Sequence, residues 1–209
     1  MRIPVLRRET PSEGRVDTRK LACTGVFAAL SIAMSPIAFM LPRVGWGQAI
    51  IDPVSLPWMF CFFLFGLSSG VMCAIIGALA LFFFDPTAIP FLGPLWKFLA
   101  TLPLMIVPYV LQRSFKRERR EFATFRSYAL ASIPAIVVRG AMMPPLVLLY
   151  FSLFFGSWWE FHGGLVVVAA TIAALNALQS VVDVGVPWAT LYATKRFLYS
   201  LGGSSRSDS

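Results

Sequence analysis

LPWMFCFFLFGLSSGVMCAIIGALALFFF, residues 56–84, runs without one charged side chain. A helix needs about 20 apolar residues to cross the hydrocarbon of a bilayer. The run is too long for one crossing, and a glycine breaks it. Leu56–Phe65 is short, and Gly66–Phe84 follows almost at once, so residues 54–84 read as two helices joined by a tight turn near Gly66. Outward from this pair, Leu21–Leu41 and Gly93–Gln112 each satisfy the length of a span. Tyr128–Phe155 is a longer run, interrupted by Pro134, Pro144 and Pro145. Gly164–Leu191 exceeds the bilayer thickness, so its first part reads as a loop or a short lateral helix. The pattern predicts an all-α, polytopic membrane protein of six transmembrane helices. Residues 21–200 form the membrane domain, between a polar cytoplasmic tail (1–20) and a disordered cytoplasmic tail (201–209).

Composition agrees. Of 209 residues, 57% are hydrophobic, 13% are charged, and the mean hydropathy is +0.73. Soluble domains carry about 25% charged residues. So apolar a chain cannot cover its surface with polar groups, so its main solvent is lipid. A cytosolic enzyme, a disordered chain and a secreted disulfide scaffold are excluded. Cys23, Cys61 and Cys73 all lie in apolar segments and form no CxxC pair, so they read as small buried hydrophobes. The segment 1–20 is too charged and too long for the n-region of a signal peptide, and the helix after it reads as retained.

The net charge of +8 is clustered between the apolar runs, which reads as topology rather than nucleic-acid binding. Arg2, Arg7, Arg8, Arg15, Arg19 and Lys20 precede the first span. Arg113, Lys116, Arg117, Arg119, Arg120 and Arg126 follow the fourth, and Lys195, Arg196 and Arg206 follow the last. The opposite loops hold Arg43, Asp52, Asp85, Glu160 and His162. The positive-inside rule puts both termini in the cytoplasm, and the expected location is the plasma membrane, as a multi-pass protein.

Two ridges of small residues repeat every four positions: Gly25, Ala29 and Ala33 in the first span, and Gly66, Gly70, Ala74 and Ala78 in the third. Such ridges let helix backbones approach closely in lipid. They serve either internal packing or docking onto another membrane subunit.

Three ionisable residues lie inside spans: Lys97, Arg139 and Asp183. Asn176 and Gln179 share a helical face with Asp183. A charge at mid-membrane costs about 2.5–3.5 kcal/mol on insertion scales, so such groups pair or contact a ligand. Two readings stand: an internal Arg139–Asp183 ion pair, or substrate contact by at least one of these side chains. Lys97 can also snorkel outward. Trp46, Trp58, Trp96, Trp158 and Trp159 gather toward the outer face, as an interfacial belt or as stacking partners for a planar ligand. His162, the only histidine, makes no metal site with Glu160. The chain has no phosphate loop, no GxGxxG after a strand and no HExxH, and its lone histidine gives no serine a base partner. No catalytic residue and no cofactor is assigned.

In this order, TRKLACTGVFAALSIAM, LPWMFCFFLFGLSSGVMCAIIGA, GPLWKFLATLPL, VVRGAMM and NALQSVVD resemble the substrate-binding S component of energy-coupling factor (ECF) vitamin transporters, over residues 19–196. The resemblance implies a subunit without enzymatic activity that captures a vitamin from outside. It implies a partner transmembrane T component and two cytoplasmic ATPases that hydrolyse ATP. It implies that Gly25, Ala29 and Ala33 dock the T component. It implies a pocket in the outer half lined by Trp96, Lys97, Arg139, Asn176, Gln179 and Asp183, closed by the loop after the first span. The riboflavin branch looks nearest, through Arg139, Met143 and Asn176. It departs at Gln179, where that branch has a lysine, and at Val147, where it has an asparagine. A self-sufficient secondary transporter or channel is the rival reading. It would need a coupling-ion site and usually an internal repeat, and no repeat is evident between the halves.

Overall fold

The computed structural model describes residues 18–44, 49–84, 92–114 and 125–204. These residues form helices with short turns, and no strand occurs among them beyond one isolated bridge between Arg43 and Ala49. The N-terminal tail to residue 17, Trp46, Asp85, residues 115–124 and the last residues, 205–209, lie outside the described set.

The first apolar run forms α1 (Thr18–Ala33) and a short continuation, α2 (Ser35–Met40). The break falls at Met34, just before Pro36, whose ring nitrogen cannot donate to the preceding turn. The charge-free run becomes α3 (Leu56–Phe65) and α4 (Leu67–Phe84). Gly66 separates them with φ +97°, a conformation that costs glycine least, and its N–H donates to Phe62 O at 2.8 Å. The remaining helices are α5 (Leu92–Ser114), α6 (Phe125–Phe155) and α7 (Leu165–Ser204).

Among the described residues, four helical segments are long and apolar enough to cross a membrane: Lys20–Ala38, Gly93–Leu111, Leu130–Phe155 and Leu165–Thr194. Pro53–Phe65 and Leu67–Phe83 are shorter apolar helices. Two sequence expectations are corrected. The prolines do not interrupt α6: one helix carries Pro134, Pro144 and Pro145. Neighbouring helices help a buried helix tolerate the lost hydrogen bonds in lipid. The start of the last run is not a lateral helix either. It belongs to α7, and the short lateral element lies earlier, as the 3-10 turn Trp158–His162. α7 also continues to Ser204, four residues into the segment read as a tail.

α1 packs on α3 and α4, α4 on α5, α5 on α6, α6 on α7, and α7 returns to α3, closing the bundle. Side chains such as Val26, Ile133, Val137 and Leu153 point outward, as a lipid-facing surface requires. One apolar core surrounds the wholly buried Trp58, Met59 and Cys61, and a second joins Ala100, Met143, Trp158, Val168 and Ile172.

The two small-residue ridges have separated. Gly70, Ala74 and Ala78 of α4 are buried; a Cβ on Gly70 would sit 2.7 Å from Phe62 Cβ. That ridge is internal packing. Gly25, Ala29 and Ala33 of α1 are exposed. Trp58 is no belt residue: it is buried where Gly77 of α4 and Ser31 of α1 leave room for its ring.

Candidate functional site

Between the two apolar cores lies a connected polar layer built by α5, α6, α7 and the turn that leads into α3. α7 supplies Asn176, Gln179, Ser180 and Asp183, whose spacing of three and four residues keeps them on one face. α6 supplies Arg139 and α5 supplies Lys97. The turn supplies Asp52 and Ser55.

Asp183 is the hub, with no exposed surface. Its Oδ2 accepts from Arg139 Nη1 at 2.7 Å. Its Oδ1 accepts from Gln179 Nε2 at 2.7 Å and from Ser55 Oγ at 2.6 Å. Arg139 also donates from Nε to Asn176 Oδ1 at 3.2 Å, and Asn176 Nδ2 donates to Ile172 O at 2.9 Å. Of the two sequence readings for Arg139 and Asp183, the ion pair is therefore formed. Removing one partner of such a buried pair costs about 3–5 kcal/mol, because the other is left uncompensated.

Gln179 reaches from α7 to the turn. Its Oε1 accepts from the Asp52 backbone N–H at 2.7 Å, and its Nε2 donates to Asp52 O at 2.8 Å. The Asp52 Oδ1 accepts from Val54 N–H at 3.1 Å and so caps the 3-10 turn Pro53–Ser55. The Asp52 Oδ2 pairs with Lys97 Nζ; the two side chains are 25% and 12% exposed. Lys97 therefore does not snorkel outward; it turns into the layer.

Lys97, Arg139, Asn176, Gln179 and Asp183 thus fall into one network. Trp96 stands apart from it. Its ring meets Tyr150 edge-on, centroids 5.7 Å apart, in the apolar cluster one turn away. Its Nε1–H is buried without an acceptor among the described residues. Trp158 packs on Phe151 at 4.6 Å, and His162 Nδ1 lies 2.8 Å from Trp158 O, an intraloop contact. Sequence reading missed Asp52 and Ser55 as members of the layer. The signal was there in DPVS, a capping acid and a proline opening a helical turn, but nothing in the spacing placed it against α7.

A family model described as "ECF transporter, substrate-specific component" matches residues 19–191, most of the chain. The chain belongs to this family. No curated protein matches it in sequence. As an ECF substrate-specific component it is a membrane transport subunit rather than an enzyme. The matched range holds every residue of the polar layer and the exposed ridge of α1. Bundle interiors bind small solutes through a few placed polar groups in an apolar lining.

Proposed function

We propose that the chain is the vitamin-binding S component of an ECF importer, and that Lys97, Arg139, Asn176, Gln179 and Asp183 hold the vitamin, with Trp96 beside them. The polytopic fold would cross the plasma membrane six times with both termini in the cytoplasm, as the clustered Lys/Arg residues favour. Energy would come from two partner ATPases acting through a T component docked on Gly25, Ala29 and Ala33. The exposure of that ridge, against the burial of its twin on α4, supports docking.

The observation that carries the reading is the convergence of two cations, two acids and two amides on one level of an apolar bundle. A purely structural bundle gains little from such a layer, since well-packed apolar residues often stabilise as much or more. The layer is mutually satisfied here, so binding is an exchange: vitamin groups replace internal partners rather than fill open valences. The buried Trp96 Nε1–H, without an acceptor among the described residues, is a further donor in the adjoining apolar cluster.

Riboflavin is the vitamin that the resemblance names. Gln179 and Val147 depart from that branch's pattern, and a changed hydrogen-bond set changes selectivity, so riboflavin serves as the reference ligand. Mass spectrometry and absorbance of small molecules co-purifying with the detergent-solubilised chain test the proposal. One vitamin per chain is expected, and Arg139→Ala should release it. An Arg139→Ala chain that folds and keeps its ligand would overturn the site. Accumulation against a gradient by the reconstituted chain alone would overturn the dependence on an ATPase.

A further inference from the structure

Asp52 presents three groups in a fixed order to two helices. Its backbone N–H and C=O meet the Gln179 amide at 2.7 and 2.8 Å, and its Oδ2 meets the Lys97 ammonium. Only the Oδ1 contact to Val54 N–H is needed for the turn, and asparagine would cap as well. The turn has another anchor in Ser55 Oγ, 2.6 Å from Asp183. The pair with Lys97 is therefore more than the local fold requires.

The charge balance says what this pair does. Lys97 and Arg139 face Asp52 and Asp183, two cations against two acids. If the turn withdraws Asp52, Arg139 keeps Asp183, but Lys97 is left a largely desolvated cation without its paired counter-charge. At the same time the Gln179 amide turns free one acceptor and one donor, side by side. A neutral guest would leave the ammonium uncompensated, and a buried unpaired charge is costly.

We infer that Asp52 is a tethered stand-in for the solute, and that the solute carries a carboxylate next to an amide-type edge of adjacent N–H and C=O. The carboxylate takes the place of the Asp52 side chain on Lys97, and the amide-type edge takes the place of its backbone on Gln179. This inference rests on the vitamin-binding reading and narrows it to acidic solutes.

The test uses the purified full chain in lipid nanodiscs, equilibrated with a mixture of pantothenate, biotin, their neutral alcohols panthenol and biotinol, and riboflavin. Retained molecules are identified by mass spectrometry, and the affinity of each is then measured by calorimetry. At least one acid is retained over its alcohol. Lys97→Gln weakens it by at least about thirtyfold, the low end for truncating a buried charge pair, while Lys97→Arg keeps most of the affinity. Asp52→Asn preserves the cap, removes the competing charge and tightens the acid by about tenfold. Preference for riboflavin or for an alcohol would overturn the acidic class and leave the vitamin-binding reading standing. So would an acid whose affinity Lys97→Gln leaves unchanged in a chain that elutes as folded. Retention of nothing by the unmodified chain would overturn both.

Discussion

The layer around Trp58 and the layer around Arg139 are held by different physics. In the first, α1, α3 and α4 meet over small residues. Gly70 lies against Phe62, and Gly77 lies against Trp58 and Ser31. In the second, α6 and α7 meet through Arg139, Asn176 and Asp183, and α5 joins through Lys97 and Asp52. A dry interface at crystal-like density has one good arrangement, and any added atom disturbs it. A hydrogen-bonded layer can trade one partner for another of the same chemistry. The first suits a scaffold, and the second suits a guest.

The sharpest way to break this contrast is to unbalance the polar layer. Asp183→Ala leaves Arg139, 5% exposed, without its carboxylate. It should cost about 3–5 kcal/mol in denaturant titration of the purified chain. The paired replacement Arg139→Met with Asp183→Leu removes both charges, so most of the stability should return while vitamin binding stays lost. A double variant as unstable as Asp183→Ala would show that the charges stabilise by more than balancing each other, and the proposed exchange would lose its basis.

The scaffold layer should respond in the opposite sense. A Cβ on Gly77 would lie 2.5 Å from Trp58 Nε1 and 2.7 Å from Ser31 Oγ. Trp58 has no exposed surface and nowhere to retreat. Gly77→Ala should cost about 1–3 kcal/mol by overpacking, and Trp58→Phe in the same chain should recover part of it. The affinity of the folded fraction for the proposed vitamin should not move. A change in vitamin selectivity in Gly77→Ala would mean that the two layers are one.

The sequence made some of this legible, and physics explains which parts. A charge-free run with a central glycine is enough to place α3 and α4, because lipid forces every backbone group into a helix. The residues of the polar layer stood out for the same reason, since ionisable groups are costly in apolar spans. Which partner each one chose was not legible. Asp52 and Gln179 are 127 residues apart, and their pairing depends on where the turn before α3 meets the interior of α7. The fate of the prolines was equally hidden. Pro144 and Pro145 look like a break in one dimension, yet α6 runs through them inside the bundle. Ridge orientation was hidden too, since a four-residue repeat says that a face exists and not what it faces.

That last point gives the smallest effect on the isolated chain. Gly25, Ala29 and Ala33 repeat with the spacing of Gly70, Ala74 and Ala78, yet a Cβ on Gly25 meets nothing within 4 Å. Gly25→Leu should therefore change unfolding by no more than about 0.5 kcal/mol, as surface substitutions do. Gly70→Leu, where the new Cβ would lie 2.9 Å from Phe62 Cα, should prevent folding because backbone cannot give way. A partner helix that needs close backbone approach would be held off by the leucine, so Gly25→Leu should bind vitamin normally while co-purification with the T component falls. Undiminished co-purification would make the α1 ridge a plain lipid-facing surface. A destabilised isolated chain would mean that the ridge packs within the bundle after all, and the division between an inward and an outward ridge would fail.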